Sequence, residues 1–141
     1  MHRTQMILNG GYGVYLNRID GLIFSENQTN FYSMFAGSSL ETLCELDLSN
    51  ATYCGTDSGS MFGMCGSLKY LGGFKGLKVD LWLGESPRLA RVSLLNVLNK
   101  LADVTELGTN PTLTLAADSY HKLTAEEIAI GTNKGWTIAY A

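Results

Sequence analysis

The sequence predicts an α/β solenoid: short strand–helix units stacked on one another, with a short parallel sheet on the concave side and short helices on the convex side. Three observations carry this expectation. The run from Ser33-Met34-Phe35 to Leu43 recurs from Ser60-Met61-Phe62 to Leu71 with one residue inserted, so the two Met-Phe pairs stand 27 positions apart. A short alternating segment follows each copy, Leu46-Asp47-Leu48 and then Leu77-Lys78-Val79-Asp80-Leu81. Glycine is abundant, 16 residues against two prolines, as tight turns between many short elements require. Each unit of this kind has one apolar face that it cannot bury alone, and stacking buries it.

Taken in chain order, residues 1–25 are expected to form an N-terminal cap or a degenerate first unit. Met6, Ile7, Leu8, Val14, Tyr15 and Leu16 are apolar enough to cover the first unit or to adhere to another subunit. Leu22-Ile23-Phe24 opens the series of strands, and Leu113-Thr114-Leu115 and Trp136-Thr137-Ile138 continue it. Alternation of this kind turns one side of each strand into a core and the other toward water. Two short helices are expected near residues 31–37 and 60–65, both interrupted by glycine. A longer helix is expected over 93–104, with Leu94, Leu95, Leu98, Leu101 and Ala102 on one face and Asn96, Asn99, Lys100 and Asp103 on the other. The last helix has the clearest start signal. Thr124 can cap it, Glu127 completes a capping box, Leu123 can staple onto Ile128, and Gly135 suits the left-handed position past its end. Residues 120–141 should therefore close the stack, with Trp136 buried against the preceding unit. A conventional βαβ domain would want longer uninterrupted apolar strands.

The bulk numbers suit one folded domain spanning residues 1–141. Apolar residues make up 45% and charged residues 16%, which argues against general disorder. A net charge of −3 and ten scattered Lys and Arg disfavour a nucleic-acid partner. No stretch approaches the roughly 20 apolar residues that span a bilayer, so membrane insertion is not expected. The N-terminal residues show no convincing signal peptide. Cys44, Cys54 and Cys65 form no CxxC pair, and His2 and His121 lie far off in sequence, so buried free thiols are expected in place of a metal site.

The run Ser60-Met61-Phe62-x-x-Cys65-Gly66-Ser67-Leu68-Lys69-x-Leu71, with its partner at 33–43 followed by Leu46-Asp47-Leu48-Ser49-Asn50, resembles BspA-type leucine-rich repeats. The ending Lys134-Gly135-Trp136-Thr137-Ile138-Ala139 is similar to one that often closes such arrays. The resemblance covers roughly residues 30–141. It implies a leucine-rich-repeat scaffold used for attachment, on the surface of anaerobic gut bacteria or in an associated phage particle, with no shared catalytic residues and no cofactor. Ser38 stands near the place of the first repeat's cysteine, and the unit after Leu71 is glycine-rich where Leu-Asp-Leu is usual.

The residues offer little catalytic chemistry. His121 lies in the run Asp118-Ser119-Tyr120-His121, whose neighbours cannot all converge on one substrate atom, so a solvated or structural role is favoured. Glu126 and Glu127 are explained by capping and the helix dipole. Gly10-Gly11-Tyr12-Gly13 lacks the lysine of a phosphate loop and reads as a turn. Asp47, Asp57 and Asp80 are too widely spaced for a local calcium loop.

What remains is the outward side of the strands, where Asp47, Lys78, Asp80, Trp82 and Thr114 are the candidate binding residues. Trp82 reads either as an exposed interface anchor or as a ring packed under the loop at 84–89. The expected function is a binding or adhesion module for a protein or glycan. The alternative is a structural terminal domain of a phage tail or fibre, joined to sister subunits through its N-terminal end.

Overall fold

The computed structural model describes residues 16–141, and most of the expected N-terminal cap, with the turn expected at 10–13, lies outside them. The strands are short: β1 (Arg18–Ile19), β2 (Thr42–Leu43), β3 (Leu46–Asp47), β4 (Tyr70–Leu71), β5 (Phe74–Lys75), β6 (Leu81–Leu83), β7 (Thr112–Leu115) and β8 (Thr137–Tyr140). Three helices accompany them, α1 (Arg91–Lys100), α2 (Ala117–Tyr120) and α3 (Ala125–Thr132). Every strand pair is parallel.

This arrangement corrects the expected solenoid. The strands form three small sheets, in the orders β1-β2-β4, β3-β5 and β6-β7-β8, where one repeat stack with a single concave sheet was expected. Backbone geometry explains the breaks. Cys44 and Glu45 separate β2 from β3, and Gly72 and Gly73 separate β4 from β5, with Gly73 at a φ of 100°. At these points the chain leaves one pairing and enters another. The expected strand at 77–81 is also absent. Residues 76–80 form a turn and an irregular link, and pairing resumes only at Leu81. Leu22-Ile23-Phe24 likewise forms no strand.

The two early helices are turns instead, at 32–37 and 61–64. Ser33 and Met64 take left-handed φ values of 63° and 53°, and Gly37 takes 72°. A right-handed helix cannot run through such residues.

One apolar core nevertheless runs through the described residues, and the alternation finds it. Leu46, Leu48, Leu81, Leu113 and Leu115 are all buried, whereas Asp47 is exposed and Thr114 half-exposed. Phe35, Phe62 and Phe74 line up inside, with ring centroids 5.4 and 5.3 Å apart. Small polar side chains tie successive segments together within this core. The Cys65 thiol donates to the Phe35 carbonyl at 3.1 Å, the Ser86 hydroxyl to the Cys65 carbonyl at 2.9 Å, and the Ser119 hydroxyl to the Ser86 carbonyl at 3.1 Å. The Phe35 and Cys65 carbonyls also accept the Ser38 and Leu68 N–H groups, so the thiol and the Ser86 hydroxyl add second bonds there, while Ser119 supplies a partner to the Ser86 carbonyl. Ser38, at the place of the missing cysteine, sits 3.8 Å from the Cys65 sulfur.

Helix α1 buries Ser93, Leu94, Val97 and Leu98, so Val97 takes the inward place expected of Leu95. Two residues expected on its polar face reach back to the chain. Asn96 donates to the Leu71 carbonyl at 2.9 Å, and Lys100 donates to the Gly72 carbonyl at 2.6 Å. Lys134 in turn donates to the carbonyls of Leu98, Asn99 and Leu101, which satisfies the unpaired C-terminal end of α1. Helix α3 starts with the full capping box between Thr124 and Glu127, and Gly135 beyond it has a φ of 91°. Trp136 is buried, and its indole N–H donates to the Ala102 carbonyl at 3.0 Å.

All three thiols are free. Cys54 and Cys65 are buried and Cys44 is half-buried. Burial pushes the Cys54 thiol up to about 12 and raises the other two. A thiolate-selective reagent at mildly alkaline pH should therefore modify Cys44 first, and Cys54 and Cys65 only on unfolding. Prompt labelling of all three thiols in the native protein would contradict this burial.

Candidate functional site

The candidate binding residues fall into three separate places. Asp47, in β3, borders a hollow of about 280 Å³ together with Phe24, Phe31 and Asn50. Its carboxylate accepts bonds from the Ser49 hydroxyl at 2.6 Å and the Ser49 N–H at 3.0 Å. These bonds hold it below the usual carboxylate range. Asp47 therefore has a local structural task, the closing of the turn after β3.

Trp82 and Thr114 face one another in the third sheet, as register partners on β6 and β7. The Trp82 ring lies over Gly84, where an added methyl group would stand 2.5 Å from Cζ2. The side chain is half-buried, and its indole nitrogen is enclosed without a hydrogen-bond partner. This places the ring against the start of the loop that follows β6.

Lys78 and Asp80 come together in a second hollow of about 330 Å³, which Tyr53, Val79, Thr109 and Asn110 also line. Both charged groups are oriented by the backbone. The Lys78 ammonium donates to the Ser49 carbonyl, and the Asp80 carboxylate accepts from the Thr112 N–H at 2.7 Å. The second bond ties the link before β6 to the start of β7. The geometry thus joins Lys78 and Asp80 in one cavity, links Asp47 to Lys78 only through Ser49, and leaves Trp82 and Thr114 in the third sheet.

Sequence reasoning passed over the aromatic part of this region. Tyr32 and Tyr53 stack with centroids 5.6 Å apart and planes at 17°, although they are 42% and 45% exposed. Two stacked tyrosines left this open to water form a ready-made apolar platform with polar rims. A parallel bridge between Asn30 and Tyr53 sets their spacing. The Phe31 N–H donates to the Tyr53 carbonyl at 2.8 Å, and the Thr52 N–H donates to the Thr29 carbonyl at 2.8 Å. Asn30 accepts the Tyr32 N–H on its side-chain oxygen at 3.0 Å. The Tyr32 hydroxyl donates to Asp57 at 3.4 Å, and Asp57 also accepts the Gly59 N–H at 3.0 Å. The Asp57 charge, with some desolvation, pushes the Tyr32 hydroxyl pKa up from its ordinary value. The signal was present in the sequence. Each tyrosine has polar, turn-forming residues close by, Asn30 and Ser33 around Tyr32 and Thr52 and Gly55 around Tyr53, with no periodicity that would bury it.

A third aromatic group lies at the C-terminal end. Tyr140 packs 4.7 Å from Tyr120 and 5.0 Å from His121, the one histidine among the described residues. Glu127 is engaged in the capping box and in an ion pair with Arg91. Among the described residues, no group of three or more His, Cys, Asp or Glu is placed to hold a metal ion, and no helix is long and apolar enough to cross a membrane. Comparison with protein-family models, characterised proteins and solved structures finds no match to this chain.

Proposed function

We propose that this protein is a non-catalytic binding module and that its ligand seats in the hollow formed by Tyr53, Lys78, Asp80 and Asn110. One observation carries the reading. An exposed, mutually stacked tyrosine pair adjoins a cavity where the segment carrying Lys78 and Asp80 meets the distant segment carrying Thr109 and Asn110. Stacking exposed rings and orienting charged groups costs conformational freedom, and a binding site regains that cost when ligand arrives at a surface already ordered. The attachment role implied by the resemblance of residues 30–141 points the same way. Catalysis would need a nucleophile and a general base in mutual reach, and the groups in this hollow offer a lysine and an aspartate already engaged by backbone atoms.

The test is a screen of phage-displayed peptides and immobilised oligosaccharides against the whole chain. Hits should shift the amide resonances of Tyr53, Lys78, Asp80 and Asn110, and Tyr53→Ala should weaken them by about tenfold or more while the melting temperature holds. Hits that map instead to the β8 edge, or that ignore Tyr53→Ala, would move the function away from this hollow.

A further inference from the structure

Resting on that reading, we propose that the ligand is a neutral saccharide, held with the C–H face of one pyranose ring against Tyr53 and its hydroxyl rim against Lys78, Asp80 and Asn110. A pyranose has two kinds of surface. Its axial C–H groups make a small apolar face that packs on an aromatic ring, and its equatorial hydroxyls need donors and acceptors around the edge.

The hollow offers both kinds of partner together. Tyr53 is braced on one side by Tyr32, nearly parallel at 17°, so a guest on its other side meets a fixed plane. Tyr32 is in turn held at both ends, by Asn30 at its backbone N–H and by Asp57 at its hydroxyl. Around Tyr53, Lys78 supplies ammonium donors and Asp80 carboxylate acceptors, while Asn110, which already donates to the Gly135 carbonyl at 2.7 Å and accepts from the Thr137 hydroxyl at 2.9 Å, keeps one further N–H and one further lone pair for a guest. Thr109 adds a hydroxyl that can donate or accept.

Charge and size narrow the class of ligand. One cation and one anion line the cavity, so neither a phosphate nor a protonated amine is selected over a neutral guest. About 330 Å³ lies at the low end of small-ligand sites, suited to one or two sugar rings. A peptide would want a deep apolar socket for an anchoring side chain, whereas this hollow is broadly open to solvent.

Saturation-transfer NMR on the full chain decides the matter, with maltotriose, cellotriose, chitotriose, mannotriose and methyl β-galactopyranoside as probes. At least one probe should receive saturation, strongest at its axial C–H protons. Tyr53→Ala should weaken that transfer by about tenfold, and Tyr53→Phe should retain it because the stacking face survives. The phenylalanine variant also keeps the test decisive if Tyr53→Ala fails to fold. In that case, the strongest transfer must still fall on the axial protons and be lost in Lys78→Met, a change at an exposed side chain. No transfer from any of the five probes overturns the proposal, as does transfer unchanged in Tyr53→Ala. A displayed peptide that binds in a Tyr53-dependent way, with no sugar binding, overturns the saccharide and leaves the binding reading standing. Absence of both peptide and sugar binding overturns both.

Discussion

Phe62→Ala should destabilise this protein by about 3–5 kcal/mol, among the largest losses from any single substitution. Phe62 is fully buried and lies between Phe35, at 5.4 Å and 15°, and Phe74, at 5.3 Å and 41°. The three rings come from the first turn region, the second turn region and β5, so the ring at 62 joins β5 to two turns that backbone bonds from Phe35 to Met61 and from Gly37 to Gly63 already hold together. Removing it loses the transfer free energy of the side chain, leaves a cavity that rigid neighbours fill poorly, and breaks two aromatic contacts worth about 0.5–1.5 kcal/mol each. Against the roughly 5–15 kcal/mol that holds an average domain together, this loss is most of the margin. Urea unfolding of Phe62→Ala and Phe62→Leu checks it. The leucine variant should lose clearly less, because it fills much of the space. A loss under about 1 kcal/mol for the alanine variant would mean that the three rings are not the centre of the core.

Trp136→Ala should cost a similar amount, about 3–5 kcal/mol for the lost packing. A further loss of about 1–3 kcal/mol is expected because the Ala102 carbonyl loses its donor. Trp136 is 2% exposed, and its indole N–H donates to Ala102 at 3.0 Å, just beyond the end of α1. The same region receives Lys134 at three carbonyls. The tryptophan and the lysine therefore join the segment after α3 to the end of α1. Comparing Trp136→Ala with Trp136→Phe in thermal melts separates the two contributions. The phenylalanine variant keeps much of the packing and loses the hydrogen bond, so it should fall between wild type and alanine. Equal melting temperatures for wild type and Trp136→Ala would show that residues 120–141 stand apart from the cooperative core, against their expected role in closing it.

Much of the inside and outside of this protein was legible in its residues. Leu46 and Leu48 alternate with Asp47, and Leu113 and Leu115 with Thr114, in segments of three residues whose side-chain direction depends only on local backbone geometry. Thr124 and Glu127 lie three residues apart, so their capping box is equally local, as is the left-handed turn at Gly135. The burial of Cys54 and Cys65 was expected from the lack of a CxxC pair or metal-ligand set, since free thiols pack as small hydrophobes.

What the tertiary structure alone decided is which of these segments pair and where pairing stops. Residues 77–81 alternate as well as any strand in the chain, yet Asp80 spends its carboxylate on the Thr112 N–H and the ladder resumes only at Leu81. Cys44-Glu45 and Gly72-Gly73 redirect the backbone at matching places and part the first sheet from the second, and the irregular link at 76–80 sets off the third. Asn96 and Lys100 look like solvent-facing helix residues until the Leu71 and Gly72 carbonyls are brought beside them. The stack of Tyr32 on Tyr53 depends on the bridge at Asn30, and the hollow depends on Lys78, Asp80 and Asn110 meeting Tyr53. Local periodicity fixes which way a side chain points. Only the long-range closure of the chain fixes what it points at, and a binding site is made of the second.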